Sequence, residues 1–96
     1  MAKRPGRSET DDLYKAILTL ETVEECRAFF DDLCTIAELS AMEQRFEVAQ
    51  LLSEGLIYND ILSRTGASSA TISRVNRCLQ YGTGGYRTAL DRLKTE

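Results

Sequence analysis

Apolar residues recur along this chain at the three- and four-residue intervals of a helix face, and nowhere in the strict alternation of a half-buried strand. Leu13, Tyr14, Ile17, Leu18 and Leu20 form one group, Val23, Cys26, Phe29, Phe30 and Leu33 a second, and Met42, Phe46, Ala49 and Leu52 a third. Ahead of each group stands a Ser/Thr-x-x-Asp/Glu signature: Ser8 with Asp11, Thr22 with Glu25, and Ser40 with Glu43. In such a signature the hydroxyl accepts from a free amide of the first helical turn while the acid reaches back to the capping residue. Helices are therefore expected over about 11–20, 23–33 and 41–53, with Gly55 placed to end the third in left-handed backbone. The stripes are broad. A helix with a wide apolar face needs more than one neighbour, and 96 residues offer few, so the pattern implies burial against a second copy of the chain.

Further along, the spacing predicts a short helix over about 58–64, another over 69–80, and a last one over 86–94 for which Thr83 is the candidate cap. Glycines cluster between Tyr81 and Tyr86. As a phosphate-binding loop this cluster fails, because no strand precedes it and no Gly-Lys-Ser/Thr follows. Without alternating, repeated or low-complexity segments, the prediction is an all-α fold of about six helices.

Length limits the chain to one domain, expected from residue 11 to 96 after a flexible basic arm over 1–10 that carries Lys3, Arg4 and Arg7. A hydrophobic share of 43% against 28% charged residues is that of a chain that folds. No apolar run reaches the roughly 20 residues of a membrane span, and polar residues follow the N-terminal Met-Ala-Lys-Arg-Pro-Gly-Arg. The expectation is a cytoplasmic protein without a membrane partner. Histidine and tryptophan are absent, which removes the commonest general base and the commonest nitrogen ligand of metals. Cys26, Cys34 and Cys78 form no CxxC pair and are expected reduced and buried, with no metal, cofactor or catalytic role.

The net charge of −3 is unevenly spread. Residues 11–47 hold ten acids against Lys15, Arg27 and Arg45, whereas residues 61–88 contain Arg64, Arg74, Arg77 and Arg87 and no acid. A polyanion would be repelled by the first stretch and attracted by the second. That second stretch also reads as a helix-turn-helix. Ile61 and Leu62 seat the first helix, Gly66 permits the turn, Ser68 or Ser69 caps the second helix, and Ile72, Val75 and Leu79 form its inward stripe. At 100° per residue the opposite face shows Ala70, Ser73, Arg74 and Arg77, short side chains first and arginines after. Such a face fits a DNA major groove, with Ser69, Ala70, Thr71 and Ser73 near bases, Ser68 beside them among the DNA-binding residues, and the four arginines mainly on phosphates. The competing reading is a protein-interaction module that keeps the helix-turn-helix shape without using DNA, and the overall acidity favours it. An enzyme has the least support, since no hydroxyl or thiol has a base near it in sequence.

Gly66-Ala67-Ser68-Ser69-Ala70-Thr71-Ile72-Ser73-Arg74 resembles the Gly-Ala-x-x-Ala-Thr-Ile-Thr-Arg stretch of the tryptophan repressor. The chain after residue 10 resembles more closely the YerC/YecD branch of that superfamily, on Glu25-Cys26, Phe29-Phe30-Asp31-Asp32-Leu33-Cys34-Thr35, Gln44-Arg45-Phe46-Glu47-Val48-Ala49 and Ala70-Thr71-Ile72-Ser73-Arg74-Val75. Tyr81-Gly82 and Ala89-Leu90-Asp91-Arg92 extend the match. The resemblance implies an intertwined all-helical homodimer whose two helix-turn-helix units enter successive major grooves of double-stranded DNA. It also implies an effector pocket at Thr35, Arg45 and Arg74, matching a threonine and two arginines that hold the repressor's corepressor. Three departures bear on that pocket: Val75 stands where the repressor has glycine, Ser69 replaces a larger apolar residue, and one more residue separates Gly55 from Gly66. The acids Glu43 and Glu47 beside Arg45 account for it without a ligand. The reading taken is a DNA-binding transcriptional regulator, repressor-like, that works without tryptophan; a different small-molecule effector stays open at this point.

Overall fold

The computed structural model describes residues 10–95, and among them finds six helices and no strand: α1 (Asp12–Leu18), α2 (Val23–Leu33), α3 (Ile36–Ser53), α4 (Tyr58–Thr65), α5 (Ser69–Tyr81) and α6 (Gly85–Lys94). This is the all-α architecture the periodicity predicts. The basic arm and Ser8 lie outside the described residues. None of the six helices is long and apolar enough to cross a membrane.

The chain divides into two compact units, the first ending at Ile36 and the second beginning at Ala37. In the first unit α1 is shorter than expected at both ends. Asp11 is its N-cap residue but its side chain makes no capping bond. Past Leu18 the amides of Thr19 and Leu20 donate three residues back, to Ala16 and Ile17, and the Thr19 hydroxyl donates to the Ala16 carbonyl at 2.6 Å. These tight bonds close the last turn and stop the helix. Helix α2 has the predicted bounds. Thr22 Oγ1 accepts from the Glu25 amide at 3.0 Å, while the Glu25 carboxylate accepts from the amide of Glu21 at 2.9 Å, one residue earlier than in the usual reciprocal box. Phe29 and Phe30 meet edge to face, their centroids 5.5 Å apart. Yet neither α1 nor α2 contains a buried residue.

The second unit holds the core. Helix α3 begins at Ile36, five residues before the expected start, so Ser40 is an exposed residue inside the helix and not its cap. Nothing between Ile36 and Ser40 breaks a helix, and Thr35-Ile36-Ala37-Glu38 spells the same Ser/Thr-x-x-Glu signature further upstream. Its buried side chains are Val48, Ala49 and Leu51, all in its last two turns; Met42 is exposed, and Phe46 and Leu52 are half-buried. The face that packs is thus rotated from the 42-46-49-52 line toward Val48. At the end of α3, Gly55 takes φ +92°. The Leu56 amide donates to Leu51 and the Gly55 amide to Leu52, a complete Schellman motif that satisfies two of the final carbonyls.

Val48, Ala49 and Leu51 join Ile61, Ala67, Ile72, Val75, Leu79 and Leu90 in one core cluster, with Phe46, Leu52, Leu56, Leu62 and Tyr86 against its sides. The Phe46 and Tyr86 rings lie 6.4 Å apart. Helix α6 starts at Gly85 with Gly84 as N-cap at φ +90° and no side-chain capping bond, so Thr83 does not perform the role expected of it. A left-handed Gly84 already turns the chain into the helix. The cysteines are free thiols as expected but not buried: Cys26 and Cys34 are half-buried and Cys78 is exposed. Cys78 lies on the flank of α5, about 100° from the line of Ile72, Val75 and Leu79 that faces the core, so its small size gains it no place inside.

Candidate nucleic-acid interface

The segment from Tyr58 to Tyr81 is built around the turn between α4 and α5. Ile61 is fully buried and anchors α4. The Thr65 hydroxyl donates to the Ile61 carbonyl at 2.7 Å and accepts from the Ala67 amide at 3.1 Å. Between them Gly66 takes φ +71°, and its amide donates to Leu62 at 2.9 Å. That left-handed backbone suits glycine and strains residues with a Cβ. Ala67 then drops into the core at 1% exposure. Ser68 caps α5: its Oγ accepts from the Thr71 amide at 3.1 Å and donates to Thr71 Oγ1 at the same distance. Of the two serines offered by the sequence, Ser68 is the cap.

Ile72, Val75 and Leu79 point into the core, as the periodicity requires. On the other side Ser69, Ala70, Ser73, Arg74 and Arg77 are exposed, and so is Arg64 at the end of α4. Within the described part of the interface, positive charge therefore stands on α4, α5 and α6 with no carboxylate between Ile61 and Thr88. Tyr81 extends the line of Ala70, Arg74 and Arg77 and is 81% exposed. Its place follows from the same 100° spacing, a signal already present in the sequence.

Two of the expected site residues bond within the chain itself. Thr71 is half-buried, and its hydroxyl is engaged by Ser68. Arg87 is exposed but its Nε donates to the Leu79 carbonyl at 3.2 Å, at the C-terminal end of α5. A guanidinium there satisfies an otherwise free carbonyl and complements the negative end of the helix dipole. Of the residues that the resemblance assigns to an effector pocket, Arg45 on α3 and Arg74 on α5 are exposed in the second unit, while Thr35 is exposed in the first. Gln44, present in the sequence only as part of a family motif and given no site role there, also reaches the turn between α4 and α5. Its Nε2 donates to the Thr65 carbonyl at 3.2 Å.

Two short helices crossing at a glycine turn, the second seated by an apolar stripe and showing small and basic residues outward, define a helix-turn-helix protein. The match to the Trp repressor protein family model runs over residues 8–94, and the chain belongs to that family of helix-turn-helix regulators. It is 57% identical over 86 residues, 90% of its own length and 83% of the relative's, to the uncharacterized protein YerC of Bacillus subtilis strain 168. Among solved structures, a candidate Trp repressor from Staphylococcus aureus superposes with a TM-score of 0.84 at 51% identity, covering 90% of this chain and 86% of the other. A TrpR-like protein from Eubacterium eligens ATCC 27750 gives the same score and identity, with 88% and 87% covered. These likenesses place the chain on the YerC side of the family, as the motifs around Gln44-Arg45-Phe46 imply.

Proposed function

We propose that the protein is a homodimeric, sequence-specific DNA-binding regulator of transcription that inserts α5 into the major groove and needs no tryptophan to do so. The observation that carries this reading is the outward face of α5, where Ser69, Ala70 and Ser73 let the backbone approach base edges and Arg74 and Arg77 follow within reach of phosphates. Arg64 and the outer nitrogens of Arg87 extend the phosphate contacts, and Ser68 and Thr71 stiffen the helix start that meets the groove. The unburied apolar stripes of α1 and α2 support the dimer. A dimer of this family's kind would read two half-sites about 34 to 36 Å apart, one turn of the duplex.

The deciding experiment incubates the full chain with a randomised duplex pool at about 150 mM salt and sequences the bound fraction, then measures anisotropy on the recovered site across a salt series. An enriched palindrome is the expected result. Weak binding without enrichment, vanishing as salt rises, would sink the reading in favour of a protein-interaction module.

A further inference from the structure

The side-chain hydrogen bonds of α4 and α5 are mostly local. Thr65, Ser68, Asn76 and Gln80 bond to partners two to four positions away. Gln44 differs, since its bond to Thr65 spans 21 residues and ties α3 to the turn itself. Only the nitrogen end of an amide donates to a carbonyl, so the partner fixes the orientation of the Gln44 head group. The receiving atom also matters. Thr65 is the last residue of α4, and its carbonyl is one of those a helix end leaves without an intrahelical partner. Its hydroxyl meanwhile holds Ile61 on one side and Ala67 on the other. Thr65 thus collects three hydrogen bonds at the residue before left-handed Gly66, where small changes of φ and ψ swing everything that follows.

We propose that Gln44 is a positioning residue for DNA reading: by donating to the Thr65 carbonyl it sets the direction in which α5 leaves the turn. It touches no DNA in this role, which rests on the function proposed above. Helix α3 is the longest among the described residues and its end is locked into the core by Val48, Ala49 and Leu51, so it gives the bond a rigid base. The opposite end of α5 is held in a similar way through Arg87 and the Leu79 carbonyl. A reading helix fixed at both ends loses less freedom on binding than one that must be ordered by its operator.

The test uses the full chain carrying Gln44→Leu, which keeps most of the side-chain volume and removes the donor. Amide exchange at Ala67, measured without DNA, should quicken about fivefold, the scale of one net hydrogen bond. Affinity for the selected site should fall by a similar factor while the slope of log K against log salt stays at the parent value, because no phosphate contact is lost. Gln44→Glu supplies a second arm. Its carboxylate faces the carbonyl above its own titration and should weaken site affinity at least as much as leucine; protonation restores a donor, so affinity relative to the parent at the same pH should recover on acidification. A change in stability alone would not reproduce that recovery. Parent-like exchange at Ala67 and parent-like affinity in Gln44→Leu would overturn the role, leaving DNA binding intact. Quickened exchange in a chain whose parent selects no duplex would overturn the DNA reading, and this role with it.

Discussion

Both units carry apolar stripes and bury them very differently. From α3 onward nine apolar residues are buried in a shared core. In α1 and α2 none is, and Leu18 remains 85% exposed, as does Ile36 at the boundary of the units at 88%. The difference teaches that helical periodicity reports which face of a helix is apolar, not what covers it. In the second unit the cover is the chain itself. In α1 and α2 no residue is buried, although large apolar surfaces are costly to leave in water.

The largest effect expected of a single substitution lies in the second unit. Ile72→Ala removes a fully buried side chain from the stripe that seats α5, and should lower unfolding free energy by about 2–5 kcal/mol in urea titration. The loss should be the same at every protein concentration once corrected for association. A cost under about 1 kcal/mol would mean that α5 is seated by something other than this core.

In the first unit the comparison turns on Leu18. Within one protomer Leu18→Glu should be nearly neutral, because the residue is already solvated. Where a partner chain covers it, the same change loses about 1.5–3 kcal/mol of burial and adds a charge to an apolar contact. Sedimentation should then show the dimer dissociation constant rising at least tenfold. A dimer as tight as the parent's would place Leu18 outside the interface and leave the α1 stripe unexplained.

The same contrast sets how far the sequence could be read. Helix α2 was legible to the residue, because Thr22 makes the local bond its signature predicts; the start of α5 was legible only to within one residue, since Ser68 and Ser69 both stood as caps and the structure uses Ser68. Gly55 and Gly66 were legible because both take positive φ at helix ends. The start of α3 was misplaced since two signatures, at Thr35 and at Ser40, compete over six residues and the sequence does not rank them. Cys78 is exposed against the usual burial of cysteine because its position on α5, not its residue type, decides. At the candidate interface the exposed serines and arginines followed from spacing alone. Gln44 and the bond of Arg87 did not, for both reach across elements, and no periodicity within one helix reports the neighbour it will meet.

A smaller effect tests the charge asymmetry between the acidic stretch 11–47 and the acid-free stretch 61–88. Arg77 stands on the outward line of α5 in a stretch without acids. Arg77→Ala should weaken binding to all duplexes alike and reduce the salt slope by about 1, the release of one counterion contact. The corresponding change at Arg27, on acidic α2, should leave the slope unaltered. Equal slopes for parent and Arg77→Ala would put that arginine off the DNA and move the positive footprint toward Arg64 and Arg87.

The smallest effect expected is none at all. A ligand alters DNA affinity only when it binds the reading-competent arrangement better than the alternative. Here α5 is held by Val75, 2% exposed and packed with Ile72 and Leu79, immediately after the Arg74 that the family resemblance offers to a ligand. A helix already seated by such a side chain leaves a corepressor little to stabilise. Tryptophan at about 1 mM should therefore leave operator affinity unchanged in the anisotropy assay. A tenfold rise would reveal about 1.4 kcal/mol of coupling, and Arg45 and Arg74 would be the residues to replace next. Loss of that rise in Arg45→Ala, with the salt slope kept, would show the arginine serving the ligand and not the duplex.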